Sequence, residues 1–154
     1  MEVRVNGVTE MGRFATSLVE KLQRQEEGAT IVALSGELGA GKTTFAQAAA
    51  KALGVEETVN SPTFVIEKIY ALQNSPPAGG WQRLVHIDAY RLNKADELRS
   101  LGWTELAADP GNLILIEWPE HVGSAIPKDA HRISIEIGEG ESRTIRLPRL
   151  ELGT

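Results

Sequence analysis

The chain has 154 residues and 42% hydrophobic content, which is typical of one globular domain with a buried core. Its 16 basic and 21 acidic side chains give a net charge of -5, which argues against broad nucleic-acid binding through a basic face. The lack of cysteine excludes disulfides, thiolate metal sites and cysteine nucleophiles. The sequence has neither an apolar signal core nor a run long enough to span a membrane, so we expect a soluble, cytoplasmic protein.

In chain order, a short edge strand at residues 2–5 precedes an amphipathic helix, which Thr9 is predicted to cap and Gly28 to end. A buried strand at residues 30–34 then leads through a glycine-rich loop into a helix at residues 42–53. This strand, loop and helix form the unit expected in a parallel sheet. The elements predicted after it are strands at residues 65–71, 84–87 and 112–116, a helix at residues 94–101, and a hairpin of strands at residues 131–137 and 144–147.

The loop reads GELGAGKTT and contains the full GxxxxGKT pattern of a phosphate-binding loop. Glycine is needed at Gly36, Gly39 and Gly41 because the loop must adopt backbone angles that side chains disfavour and bring its N–H groups against an anion. Lys42 is predicted to reach the β- and γ-phosphates of ATP, and the Thr43 hydroxyl to bind Mg²⁺. The predicted nucleotide-binding residues of the loop are Gly36, Glu37, Leu38, Gly39, Ala40, Gly41, Lys42, Thr43 and Thr44.

These elements predict an α/β fold, that of a single-domain P-loop NTPase over residues 1–154. The central sheet is expected to be mainly parallel and flanked by helices, and the C-terminal hairpin to be antiparallel. We find no internal repeat and no linker in the sequence.

Two carboxylates follow apolar strands, where parallel-sheet enzymes place groups that act on bound phosphates. Glu117 follows LILI, and we expect it to complete the Mg²⁺ shell with Thr43, directly or through water. Asp88 follows LVHI and is predicted to be catalytic, either orienting or deprotonating the attacking water or sharing the metal. The alternative is that each carboxylate only caps the turn that follows its strand.

Further side chains have two interpretations each. Thr63, in SPTF, is a candidate catalytic switch threonine that senses the γ-phosphate, or it forms a hydrogen bond within a proline turn. Trp118 is a candidate to stack on a base or a partner, or it belongs to the core. Arg91 either stabilises charge on the phosphates or forms a surface salt bridge. His86 and Asp88 have the spacing that places both side chains on one face of a strand, which favours a supporting hydrogen bond over a metal site.

Residues 93–96 read NKAD and match the NKxD motif with which GTPases read guanine. No aspartate in the chain has glycine three positions later, so the DxxG switch that accompanies this motif is missing. We therefore interpret the segment as the start of a helix with Asn93 as its cap. His121 and His131 lack ligand-like neighbours and are interpreted as structural or exposed.

Four segments occur in an order that resembles the TsaE (YjeE) family, the small bacterial P-loop ATPases of tRNA threonylcarbamoyladenosine (t6A) synthesis. They are GELGAGKTTF, VNSPTFVIEKIY, HIDAYRL and LILIEWPEHVGSAIP, and the resemblance extends from about residue 14 to residue 137. It implies action with TsaB and TsaD, which transfer the threonylcarbamoyl group to the adenosine beside the anticodon. The protein would then contact tRNA only indirectly, through this complex. It also implies an ATPase that is weak alone.

The resemblance also implies roles for particular residues. The switch threonine of the family falls on Thr63, and its EWP element on Glu117 and Trp118. Its HxDxYR element falls on His86, Asp88, Tyr90 and Arg91. The sequence departs from the family where Ala89 replaces a common leucine and where Gln47 and Ala48 replace a common Arg-Gly pair. The missing arginine puts in doubt any partner contact that it makes.

Three functions remain after this reading. The first is an ATPase that resets a tRNA-modifying complex through Mg²⁺-dependent hydrolysis. The second is a nucleotide-gated binding module in which turnover is incidental. The third is a small-molecule kinase, which is disfavoured because the arginines after Glu117 fall in the predicted hairpin and its flank rather than in a lid; they are Arg132, Arg143, Arg146 and Arg149.

Overall fold

The computed structural model describes residues 1–57, 59, 66–72 and 80–148. The strands in these residues are β1 (Glu2–Asn6), β2 (Thr30–Ser35), β3 (Glu67–Ala71), β4 (Arg83–Asp88), β5 (Asn112–Glu117), β6 (His131–Ile137) and β7 (Ser142–Arg146). The α-helices are α1 (Gly7–Lys21), α2 (Lys42–Ala52), α3 (Ala95–Arg99) and α4 (Trp103–Ala108), and a 3₁₀ segment covers Pro119–Ala125.

All the described strands belong to one sheet with the order β1-β7-β6-β2-β5-β4-β3. The four strands in the centre, β6, β2, β5 and β4, pair in parallel, while β3 and the β6-β7-β1 edge pair antiparallel. The parallel centre and the C-terminal hairpin of the predicted α/β fold are confirmed. Because parallel strands end at one edge of a sheet, β2, β4 and β5 deliver their last residues to the same place.

Apolar side chains cover both faces of the central strands, as expected for parallel strands with near-continuous hydrophobic runs. On one face α1 and α2 pack through residues such as Leu18 and Phe45. On the other face α3, α4 and the 3₁₀ segment pack through residues such as Leu98, Trp103 and Val122. The sheet is therefore held between two layers, and its carboxyl end is left for polar groups.

The boundaries of the first helix differ from the prediction. Helix α1 starts at Gly7, so Thr9 lies inside the helix and is not its cap. The chain turns directly from β1 into α1 because Gly7 adopts a φ of 82°, which needs no intervening loop. The helix ends at Lys21 rather than at Gly28, since residues 23–27 are all polar or charged and offer no apolar face to pack.

The remaining differences are local. Helix α3 starts at Ala95 after Lys94, which makes no side-chain cap hydrogen bond, so the prediction of Asn93 as the cap is wrong. Helix α4 and the 3₁₀ segment are too short to give a periodic signal. Strand β3 is described from Glu67, and residue 65 of the predicted strand lies outside the described residues. In the part of the chain that the structure describes, no helix has the length and apolar character required to cross a membrane.

Candidate nucleotide-binding site

The predicted phosphate loop joins the end of β2 to the start of α2. Gly41 directly precedes the helix with a φ of 109°, a conformation that side chains rarely adopt. No side chain caps the helix, and its first turn contains no acidic residue. The first backbone hydrogen bond of the helix is donated by Phe45 to Gly41, so the N–H groups before it stay available. An uncapped helix N-terminus with free N–H groups is a site for anions, phosphates above all.

Lys42 is 5% exposed and lies where charged groups from three elements meet. Its ammonium donates a hydrogen bond to the carbonyl oxygen of Gly36 and sits 3.8 Å from the centroid of the Trp118 ring. Burial lowers the pKa of this ammonium, and the carboxylates of Glu117, Asp88 and Glu120 oppose the shift, in that order. The cation is thus held by a carbonyl and an aromatic face and compensated by three acidic groups.

The two predicted carboxylates lie side by side at the carboxyl ends of neighbouring strands. Asp88 of β4 and Glu117 of β5 are register partners, and both are buried. Glu117 Oε2 is 2.7 Å from Nε2 of His86, whose side chain is almost fully buried. Asp88 Oδ1 accepts a hydrogen bond of 3.0 Å from the backbone N–H of Tyr90. One oxygen of each carboxylate is therefore held by the protein itself, and the predicted hydrogen-bonding role of His86 is found on Glu117.

Trp118 adopts a φ of 58° immediately after β5, and its backbone N–H donates to the carbonyl of Leu34 at the end of β2. Its ring contacts the rings of Tyr90 and His121 at centroid distances of 5.1 and 5.4 Å. His121 Nδ1 is fixed by two carbonyl oxygens, those of Ala89 at 3.1 Å and Tyr90 at 2.9 Å. These three rings form a cluster under Lys42, and the predicted structural role of His121 agrees with these bonds.

Two residues that the sequence did not single out belong to this site. Glu120 acts on Lys42 electrostatically and accepts a hydrogen bond of 2.9 Å from the Ser35 hydroxyl. Arg143 of β7 donates a hydrogen bond of 3.2 Å from Nη2 to the carbonyl of Gly39 in the loop. The only sequence signal for Glu120 is its position three residues after Glu117, and Arg143 has none, because its contact depends on sheet order.

Three other segments that the sequence singled out are not among the described residues that meet at the loop. Thr63 lies outside the described residues. The NKAD segment begins α3, whose core residue Leu98 packs on the sheet face opposite α2, and its Asp96 pairs with Arg99 at 2.8 Å. That placement agrees with the interpretation that NKAD does not read a base. Gln47, where the family commonly has arginine, donates a hydrogen bond of 2.9 Å to the carbonyl of Val59.

The oxygen groups of the site fit Mg²⁺, which prefers hydroxyl, carboxylate, phosphate and water oxygens. Thr43 lies in the first turn of α2, and the carboxylates of Glu117 and Asp88 lie close enough to Lys42 to act on its pKa. Among the described residues, no group of three or more acidic or histidine side chains is arranged to hold a metal ion. A magnesium ion here would therefore depend on phosphate oxygens and water.

A cavity of about 160 Å³ adjoins the loop. It is lined by Gly39, Ala40, Gly41 and Thr44 of the loop and α2, by Gly7, Val8 and Met11 of α1, and by Glu141 and Arg143 of the hairpin. A larger cavity of about 400 Å³ lies at β1, β6 and β7 and contains none of the predicted site residues.

Comparisons with known proteins identify the family of this chain. Residues 5–145 match the family model described as "Threonylcarbamoyl adenosine biosynthesis protein TsaE". The chain is similar to proteins named "tRNA threonylcarbamoyladenosine biosynthesis protein TsaE" from Streptomyces coelicolor (37% identity, covering 81% of this chain and 80% of the relative) and from Rickettsia typhi (32%, covering 90% and 88%). It is also similar to the crystal structure of Bacillus subtilis YdiB, with a TM-score of 0.69 and 26% identity, over 96% of this chain and 83% of that one. The chain belongs to the TsaE family.

Proposed function

We propose that this protein binds ATP with Mg²⁺ at the loop and hydrolyses it in support of t6A formation on tRNA, together with TsaB and TsaD. One observation carries the chemical part of this proposal. A buried lysine at an uncapped helix N-terminus meets two buried carboxylates from adjacent parallel strands. That arrangement has the cation, the anion-binding N–H groups and the acidic groups that phosphoryl transfer requires.

The binding step uses the N–H groups of the uncapped helix α2 and the ammonium of Lys42. The N–H groups at the start of α2 donate hydrogen bonds to the phosphate oxygens, and Lys42 exchanges its contacts with Gly36 and the Trp118 ring for the β- and γ-phosphate oxygens. We place the nucleoside on the side of the loop where the cavity of about 160 Å³ opens beside Thr44. Stacking of Trp118 on a base or a partner remains a prediction.

The hydrolytic step is assigned to the carboxylates. Asp88 orients or deprotonates the attacking water, with its carboxylate fixed by the Tyr90 N–H. Glu117, fixed by His86, and the Thr43 hydroxyl would hold Mg²⁺. When bound, the ion supplies positive charge that neutralises the phosphate oxygens. Thr63 stays a candidate for sensing the γ-phosphate.

The biological part of the proposal follows from the family. The relatives are named for tRNA threonylcarbamoyladenosine biosynthesis, and the resemblance of the motifs implies TsaB and TsaD as partners. The alternative is a nucleotide-gated binding module with incidental turnover. The hydrogen bond from the Tyr90 N–H to Asp88 favours that alternative, because it lets Asp88 cap a turn. With that structural role, Asp88 is not required to act on water.

The first experiment measures ATP affinity and hydrolysis with and without TsaB and TsaD, with GTP in parallel. Lys42→Ala removes the phosphate-binding cation and is expected to abolish tight ATP binding. Lys51→Ala is the matched control, because Lys51 lies exposed at the last turn of the same helix. Equal ATP affinity in wild type and Lys42→Ala would refute the site.

A second variant separates the ATPase from the gated module. Asp88→Ala is expected to bind ATP but to lose hydrolysis and, with it, t6A formation in a reconstituted reaction with TsaB and TsaD. Full t6A formation by a variant without hydrolysis would favour the module. Normal hydrolysis by the variant would remove Asp88 from the mechanism.

A further inference from the structure

The hairpin of β6 and β7 contacts the phosphate loop through one side chain, that of Arg143. Arg143 lies two residues before the buried Ile145 on β7, so both side chains lie on the sheet face that carries α1 and α2. Arg143 Nη2 donates a hydrogen bond of 3.2 Å to the carbonyl oxygen of Gly39. A strand that β6 separates from β2 thus reaches the middle of the loop, across 104 positions of the sequence.

The guanidinium of Arg143 is held in one orientation by its own hairpin. Nη1 donates to the carbonyl oxygens of Gly140 at 2.9 Å and Ser142 at 2.8 Å. Nη1 has two hydrogens, and these two carbonyls account for both. Because the guanidinium is planar, fixing Nη1 also fixes the direction in which Nη2 points. The contact with Gly39 is therefore made by a group that is already in place.

The loop has little other support at this point. Gly39 has a φ of 85°, and no heavy atom lies within 4 Å of the position that a β-carbon would take there. Within the described residues, no other hydrogen bond joins residues 37–41 to an element outside the loop and α2. Arg143 also lines the cavity of about 160 Å³ beside Thr44. The same side chain is thus both a support for the loop and a wall of the space next to it.

We propose that Arg143 is a positioning residue for nucleotide binding, which fixes the phosphate loop through the Gly39 carbonyl. The inference rests on the proposed function, because it assumes that the loop binds a nucleotide. A loop that is fixed before binding loses less conformational entropy when the phosphates arrive, so the contact raises affinity without touching the reacting atoms. It also ties the antiparallel hairpin to the site, which the hairpin's position at the edge of the sheet does not suggest.

The test compares Arg143→Ala, Arg143→Lys and the control Arg132→Ala. Arg132 lies on β6, alternates to the other face of the sheet from the buried Ile133, and is exposed. We expect Arg143→Ala to raise the Kd for ATP and for ADP about tenfold, as for the loss of one charged hydrogen bond, and Arg132→Ala to leave both unchanged. Hydrogen exchange of residues 36–44 in the nucleotide-free protein is expected to speed up in Arg143→Ala alone.

The affinities and exchange rates of the Arg143 variants decide whether Arg143 positions the loop. Unchanged ATP affinity and unchanged loop exchange in Arg143→Ala would overturn the inference while leaving the proposed function intact. Wild-type affinity and exchange in Arg143→Lys would show that positive charge suffices, and would overturn the positioning role. Thermal unfolding of each variant checks folding, and Arg143→Lys serves where Arg143→Ala does not fold. Failure of the wild-type protein to bind ATP would overturn the proposed function and this inference together.

Discussion

The buried hydrogen bond between His86 and Glu117 gives a stability prediction that does not depend on any ligand. Both side chains are nearly inaccessible to water, at 1% and 4% exposure, and His86 Nε2 lies 2.7 Å from Glu117 Oε2. Replacing His86 by leucine keeps a similar volume but leaves the Glu117 carboxylate buried without this partner. Removing the hydrogen-bond partner of a buried carboxylate costs about 3 to 5 kcal/mol, so we expect the free energy of unfolding to fall by about 3 kcal/mol.

The magnitude can be checked by urea unfolding and by the midpoint of thermal unfolding. For a chain of this size, about 3 kcal/mol corresponds to a fall of roughly 9 °C in Tm. The double variant His86→Leu with Glu117→Leu removes both polar groups, so its loss should be much smaller than the sum of the two single losses. That difference isolates the pair from the packing around it.

A neutral buried hydrogen bond in the same sheet serves as the control. Trp81 Nε1 donates to the Thr30 hydroxyl at 3.2 Å, and both residues are buried. Thr30→Val should cost only about 1 kcal/mol, because a neutral hydrogen bond contributes less than one to a charged group. The reasoning would be refuted if His86→Leu cost no more than Thr30→Val, or if the double variant were as unstable as the sum of the singles.

Further predictions concern the metal, the loop and pH. Glu117→Ala should lose turnover and the Mg²⁺ dependence of ATP binding, measured by titration with and without the ion. Gly41→Ala should lower ATP affinity at least about tenfold, because φ is 109° and the new β-carbon would lie 3.1 Å from Met11 Cε; Gly123→Ala, where no atom lies within 4 Å, is its control. Burial lowers the pKa of His131 below its ordinary 6.5. The neutral imidazole therefore contributes stability above pH 6.5, and this contribution is lost as the pH falls and the folded protein must bury a charged ring. His131→Gln should therefore lose less stability than the wild type between about pH 7.5 and about pH 5.5, measured by urea unfolding.

The fold was predictable where local pattern and tertiary environment agree. The apolar runs before the loop and before Glu117 became the fully buried strands β2 and β5, because strands covered on both faces need apolar residues throughout. The helix boundaries were not predictable from periodicity. Thr9 has the chemistry of a cap, but the positive φ of Gly7 lets the helix start three residues earlier than a cap at Thr9 would. Conformation at a single glycine outweighed a side-chain preference.

The site was predictable where residues are tied to strand ends and to the loop motif. Lys42, Asp88 and Glu117 meet because parallel strands finish at one edge, a rule that needs only the order of elements along the chain. Arg143 could not be found in this way, since its contact with Gly39 requires knowing that the hairpin folds back beside β2. Sequence order alone does not give the order of strands within the sheet.

The charges around Lys42 support the proposal that a divalent cation binds together with the nucleotide. One ammonium faces the carboxylates of Glu117, Asp88 and Glu120, and a triphosphate would add further negative charge beside them. The N–H groups of α2 supply only about half a positive charge, and Arg143 adds one more at Gly39. Without a further cation the phosphates would meet an excess of negative charge in a largely buried site. The acidic groups that make the site unfavourable for ATP alone are therefore the groups that would make it favourable for ATP with Mg²⁺.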